Sequence, residues 1–223
     1  MTTSLEKLMA TQARNTETLH KLPIKHRVAF AATCCERLMP NFYACALVYE
    51  IENHHLVQAG VDNLWGYLGG ELWQETEINE FLQVLDSFAS EIENFASTIY
   101  SELALHTLDA IRNTVRGCLA DTGKNLEEVI TITINAIDLY LRNVNYPSTE
   151  FFSATEQTAF DEWIYQAPLY TTELKQEQAD LELLSSSKTL SIDLLMKLRS
   201  DAKRIGMKPI ENGLIPDPRF KRD

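Results

Sequence analysis

Apolar residues return every three or four positions along most of this chain, a period that belongs to helices and not to strands. Val28, Ala31, Ala32, Cys35, Leu38 and Met39 stand at offsets of three, four, seven, ten and eleven, which draws one helical face. Pro23 suits a first turn, and Pro40 lacks the N–H that a continuing helix needs. The pattern therefore predicts a helix over residues 23–38, a tight corner at Met39-Pro40, and a second helix from Pro40 through Tyr49.

The same period recurs downstream. Val57, Val61, Leu64, Trp65 and Leu68 form a stripe that Gly69-Gly70 should end, with Gly66 inside it pointing to close approach of a neighbouring backbone. Thr76 is placed to cap a helix striped by Ile78, Phe81, Leu85, Phe88 and Ile92. A helix over 102–119 follows, and Asn125 with Glu128 resembles a capping box before Ile130, Ile134, Ile137 and Leu141. Residues 130–134 also alternate like a strand, but the flanking cap and the long stripe decide for helix. A break at 145–148 precedes a short helix that should end before Pro168, then helices over 170–184 and around Leu194, Leu198, Ala202 and Ile205, closed by Gly206.

With only 8 Gly and 7 Pro, the chain lacks the turn chemistry of a many-stranded β fold. The expected fold class is all-α: a single multi-helical bundle of about nine helices with short loops. Residues 1–206 should be one domain and 207–223, with three prolines and no period, an extended or mobile tail.

The formal charge is −12, from 32 acidic against 20 basic residues spread along the chain. Such a surface repels phosphate backbones and anionic lipid, so neither nucleic acid nor membrane is an expected partner. No stretch reaches the roughly 18 apolar residues of a membrane span. Cys34, Cys35, Cys45 and Cys118 show no C-x-x-C and no paired spacing, which fits reduced core thiols in a soluble, cytoplasmic protein.

Signs of chemistry are sparse. The chain has no Walker loop, no G-x-G-x-x-G and no H-E-x-x-H, so no cofactor is expected. Ser4-x-x-Lys7 and Ser185-x-x-Lys188 match an acyl-enzyme spacing without its companion motifs. Adjacent His54 and His55 diverge on a helix and make a poor chelate even with Glu52 nearby. Glu102, His106 and Asp109 share one face, but that face lies opposite the apolar stripe, as a solvated surface does. Arg37 is different. On the helical wheel it falls beside Phe30 and Cys34, so its side of the helix should also be covered, and a covered guanidinium needs a carboxylate. Asp62 and Asp109 are the expected partners, while Glu36 is placed to accept from free amides at the start of the Pro40 helix. Glu36, Arg37, Asp62 and Asp109 are accordingly the candidate binding residues.

At Cys35-Glu36-Arg37-Leu38-Met39-Pro40-Asn41-Phe42 the chain resembles the YjaG-like family of bacterial helical proteins, a domain of unknown function. The Trp65 helix, Leu108-Asp109-Ala110 and residues 195–206 (LMKLRSDAKRIG) agree, so the resemblance spans about residues 20–206, although 119–187 match only in pattern. It implies an all-α fold and a bacterial cytoplasmic protein. It implies no activity, cofactor or catalytic residue.

Two functional expectations follow. The first is a non-catalytic protein-interaction module with a protein partner or a second copy of itself. The alternative is an enzyme or small-ligand binder using Glu36, Arg37, Asp62 and Asp109 between helices.

Overall fold

A computed structural model describes residues 4–119, 124–145 and 154–207. Among these residues there are nine α-helices and no strands: α1 (Ser4–His20), α2 (Ile24–Val48), α3 (His55–Leu68), α4 (Glu75–Glu93), α5 (Ile99–Leu119), α6 (Lys124–Asn145), α7 (Ala154–Gln166), α8 (Pro168–Ser186) and α9 (Ile192–Ile205). The all-α bundle expected from the periodicity is what forms. Among the described residues no helix is long and apolar enough to cross a membrane.

The bundle is organised around α2, which buries 18 of its 25 residues, so both of its sides are covered. It packs most extensively on α5, with α3, α6, α8 and α9 around the rest. Phe30 and Arg37, on the side away from the main stripe, are as buried as Val28 and Ala32.

The corner predicted at Met39-Pro40 does not form, because α2 runs straight through Pro40. A proline costs a helix the N–H that would reach the carbonyl four residues back and crowds that turn. Here the neighbouring carbonyls find donors from other elements. The Met207 N–H donates to the Arg37 carbonyl over 3.1 Å, and the Thr107 hydroxyl donates to the Leu38 carbonyl over 3.1 Å. Tertiary donors thus stabilise a proline-containing turn that local rules would end.

The ninth helix is α1, which the sequence does not announce: Leu8, Asn15 and Leu19 are its buried residues, too few for a clear stripe. Other local expectations shift by a residue or two. The cap of α4 is Gln74 rather than Thr76, with the Glu77 carboxylate accepting from the Gln74 N–H over 2.8 Å. Asn125 already lies inside α6. Gly69 ends α3 as expected, and Gly70 takes a positive φ of 101°. At Gly66 the chain folds back on itself: the Glu71 N–H donates to the Gly66 carbonyl over 2.9 Å, and a Cβ would collide with the Glu71 carboxylate. The close approach is at Gly60, where a Cβ would stand 2.0 Å from the Phe81 ring of α4. Residues 208–223, most of the expected tail, lie outside the described residues, whereas Met207 is buried against α2.

Candidate functional site

Arg37 is fully buried, and its partners come from α8. Its Nε donates to Glu173 Oε1 over 2.8 Å and its Nη1 to Asp180 Oδ2 over 2.8 Å, while Nη2 donates to Cys34 Sγ over 3.2 Å. Glu173, Glu177 and Asp180 recur at helical spacing and therefore share the face of α8 that meets α2. Asp180 also accepts from Thr33 and Gln176, and Glu177 Oε2 accepts from Asn15 of α1 over 3.0 Å. One guanidinium thus draws together α1, α2 and α8.

This interior is unevenly charged. Three buried carboxylates face one guanidinium, and Glu177 Oε1 has no hydrogen-bond partner. Burial, reinforced by the Glu173 charge, pushes the Glu177 carboxyl up to about 8. Burial also raises Glu173, against the pull of Arg37, and lifts the Cys34 thiol well above its ordinary range. The three carboxylates outweigh desolvation at Arg37 and hold it charged. Among the described residues, Cys34 Sγ and one carboxylate oxygen each of Glu173 and Glu177 form the one cluster with metal-ligand spacing, all within 4.8 Å of one another.

Glu36, next to Arg37, points the other way. It is buried but reaches α9, where Arg199 Nε donates to its Oε1 over 2.6 Å; the expected bond to amides near Pro40 is not what it makes. Arg199 also donates to Asp62 of α3 and lies 5.7 Å from the centre of the Trp65 ring. Arg199 lines a groove of about 360 Å³ between α3 and α9 together with Asp62, Trp65, Gly66, Leu195 and Met196. The Trp65 indole N–H has no acceptor.

The four candidate binding residues therefore do not converge. Glu36 and Asp62 meet on Arg199, Arg37 pairs with α8, and Asp109 pairs with Arg112 of its own helix. Among the described residues Glu102, His106 and Asp109 do not gather as a ligand set; Glu102 accepts from Ser97 instead, and burial lowers His106 despite nearby acidic groups. His54 sits at the start of α3 with Nδ1 3.0 Å from the Ile51 carbonyl. The Ser4 hydroxyl accepts from Gln166 over 3.1 Å.

Sequence reasoning missed Glu173, Glu177, Asp180 and Arg199. The i, i+4, i+7 spacing of the three α8 acids was the available signal, and a helix this polar disguises it as a solvated face.

The family model described as "Protein of unknown function (DUF416)" matches residues 14–210. The fold is similar to that of a DUF416 family protein from Shewanella baltica OS155, solved at 1.91 Å, with a TM-score of 0.73 over 87% of this chain and 96% of that one. At 17% identity that likeness is one of fold alone. No curated protein matches the chain. A family of unknown function is what the Cys35–Phe42 segment led to expect, and the chain belongs to the DUF416 family.

Proposed function

We propose that the protein is a non-catalytic interaction module that works through the face formed by α9 and the end of α3. One observation carries the reading: Ile192 and Met196, a turn apart on α9, are each 66% exposed beside the Trp65–Leu195 groove. Leu72, next to the groove residue Glu71, is 81% exposed. Isolated apolar residues on a surface are ordinary; a cluster beside a groove marks an interaction site.

A second copy of the chain is the occupant that fits. Asp193 opens α9, and Lys203 and Arg204 close it. Two α9 helices packed antiparallel about a two-fold axis would set each Asp193 against the basic end of the other, with the Ile192 and Met196 side chains between them. Lys197, Arg199, Lys203 and Arg204 are balanced by Asp193, Asp201 and the Glu36 and Asp62 that pair with Arg199, so this face is close to neutral on a chain of net charge −12 and two copies repel less across it. The four free cysteines and the Cys35–Phe42 segment support the finer reading of a YjaG-like protein of the bacterial cytoplasm, folded as one domain.

Sedimentation velocity from roughly 1 to 100 µM, a range that spans micromolar dissociation constants, tests this. Wild type should show a concentration-dependent dimer, and Met196→Asp should stay monomeric with an unchanged helical circular dichroism spectrum. A strict monomer that also cross-links to nothing in cells through a photoreactive residue at 196 overturns the reading.

A further inference from the structure

The carboxylates around Arg37 exceed what one guanidinium neutralises. Three buried carboxyl groups, of Glu173, Glu177 and Asp180, face the single Arg37 guanidinium away from water, more acid than one cation neutralises. Acid buried in such excess either keeps its proton or pairs with a cation. Within the cluster three ligand-type groups already converge: Cys34 Sγ, Glu173 and Glu177, with mutual distances no greater than 4.8 Å. Glu177 Oε1 is buried and lacks any hydrogen-bond partner, and Glu177 itself is 0% exposed.

We infer that Cys34, Glu173 and Glu177 supply three ligands of a zinc site that fastens α8 to α2, with a bound water completing the four-coordinate shell. A divalent cation that takes the place of the two protons on Cys34 and Glu177 leaves the net charge of the pocket unchanged. A sulfur ligand selects zinc over magnesium or calcium, which take oxygen ligands only. Zinc bonds of about 2.3 Å to sulfur and 2.0–2.2 Å to oxygen place tetrahedral ligand atoms about 3.5 Å apart, so these side chains need to close by about 1 Å. The ligands sit on helical residues, with Glu173 and Glu177 at the i, i+4 spacing that points two side chains at one centre.

The surrounding bonds suit the ion. Arg37 Nη2, 3.2 Å from Cys34 Sγ, can donate to the thiolate that zinc creates, and Asn15 orients Glu177 from its far oxygen. Binding replaces the thiol proton of Cys34, and the proton of Glu177 when it carries one, with the metal, and both leave to solvent. This inference is independent of the α9 interface.

The test uses the full chain, stripped with chelator and refolded from denaturant with or without zinc chloride, because the site is closed to solvent in the folded protein. After dialysis, elemental analysis should find one zinc per chain, and the zinc-refolded protein should melt higher. Cys34→Ser and Glu177→Gln should each weaken zinc binding beyond the roughly 100-fold that outer-shell changes cause. With cobalt(II) as the probe, the sulfur-to-cobalt absorption should disappear in Cys34→Ser. Glu177→Gln should fold at least as well as wild type without zinc, so its loss of binding would not reflect misfolding. Wild type that retains no zinc, or zinc that both variants retain equally, overturns the site.

Discussion

Arg37 Nη1 donates to Asp180 Oδ2 over 2.8 Å across 143 residues of sequence, and neither side chain is more than 3% exposed. With Glu173 on its Nε, Arg37 is, among the described residues, the one cation facing the three buried acidic groups of α8 in a region closed to water. Removing it strands them. Arg37→Ala should therefore cost about 3–5 kcal/mol, the usual penalty for breaking a buried ion pair from one side. Urea denaturation of metal-free protein measures this, and a loss below about 1 kcal/mol would mean that water reaches the cluster.

The raised Glu177 carboxyl makes metal-free stability depend on pH. Its ordinary value is 4.5 and its folded value about 8, so between these the native state holds a proton that the unfolded chain has released. Unfolding is then favoured as pH rises: stability is greatest near and below pH 4.5 as far as this group is concerned, falls through neutrality and levels above about 8. The slope from one such group is at most about 1.4 kcal/mol per pH unit. Glu173, raised in the same direction, adds to it, while Arg37 opposes both. Urea midpoints at pH 5, 6, 7 and 8 in chelator should decline in wild type and flatten in Glu177→Gln.

Gly60 makes room for a ring. A Cβ there would stand 2.0 Å from Phe81, so Gly60→Ala forces α3 and α4 apart and should cost about 1–3 kcal/mol through overpacking. Phe81→Leu in the Gly60→Ala background should recover part of that loss. Thermal denaturation of the two single variants and the double variant gives the coupling.

Gly206 has no such latitude, because its neighbour is backbone. A Cβ would lie 3.0 Å from the Arg37 carbonyl oxygen and 3.3 Å from the Arg37 Cα, on the segment where Met207 donates its N–H. Gly206→Ala should lift the end of α9 off α2 at a cost of about 1–3 kcal/mol, and amide exchange at Met207 should accelerate.

The two arginine sites were unequally legible in the sequence. Phe30 beside Arg37 on the wheel was enough to predict a covered guanidinium, because burial of a helix side is a local pattern. Its partners were not readable: Glu173 and Asp180 lie 136 and 143 residues away on a helix whose polar composition resembles a solvated surface. Glu36 and Asp62 shared a site, but through Arg199, whose role only the docking of α9 reveals. Pro40 misled for a related reason. Local chemistry ends a helix there, and the donors from Thr107 and Met207 that offset it come from distant elements. Periodicity therefore conveyed which faces are buried, and not which faces meet.

The interaction face is tested most directly by hydrogen exchange with mass spectrometry at two protein concentrations, about 1 and about 100 µM. The account predicts slower exchange at the higher concentration in α9 and in residues 62–72, with α4 and α6 unchanged, and no such slowing in Met196→Asp. Exchange that is independent of concentration throughout, or protection that appears elsewhere and persists in Met196→Asp, would contradict it.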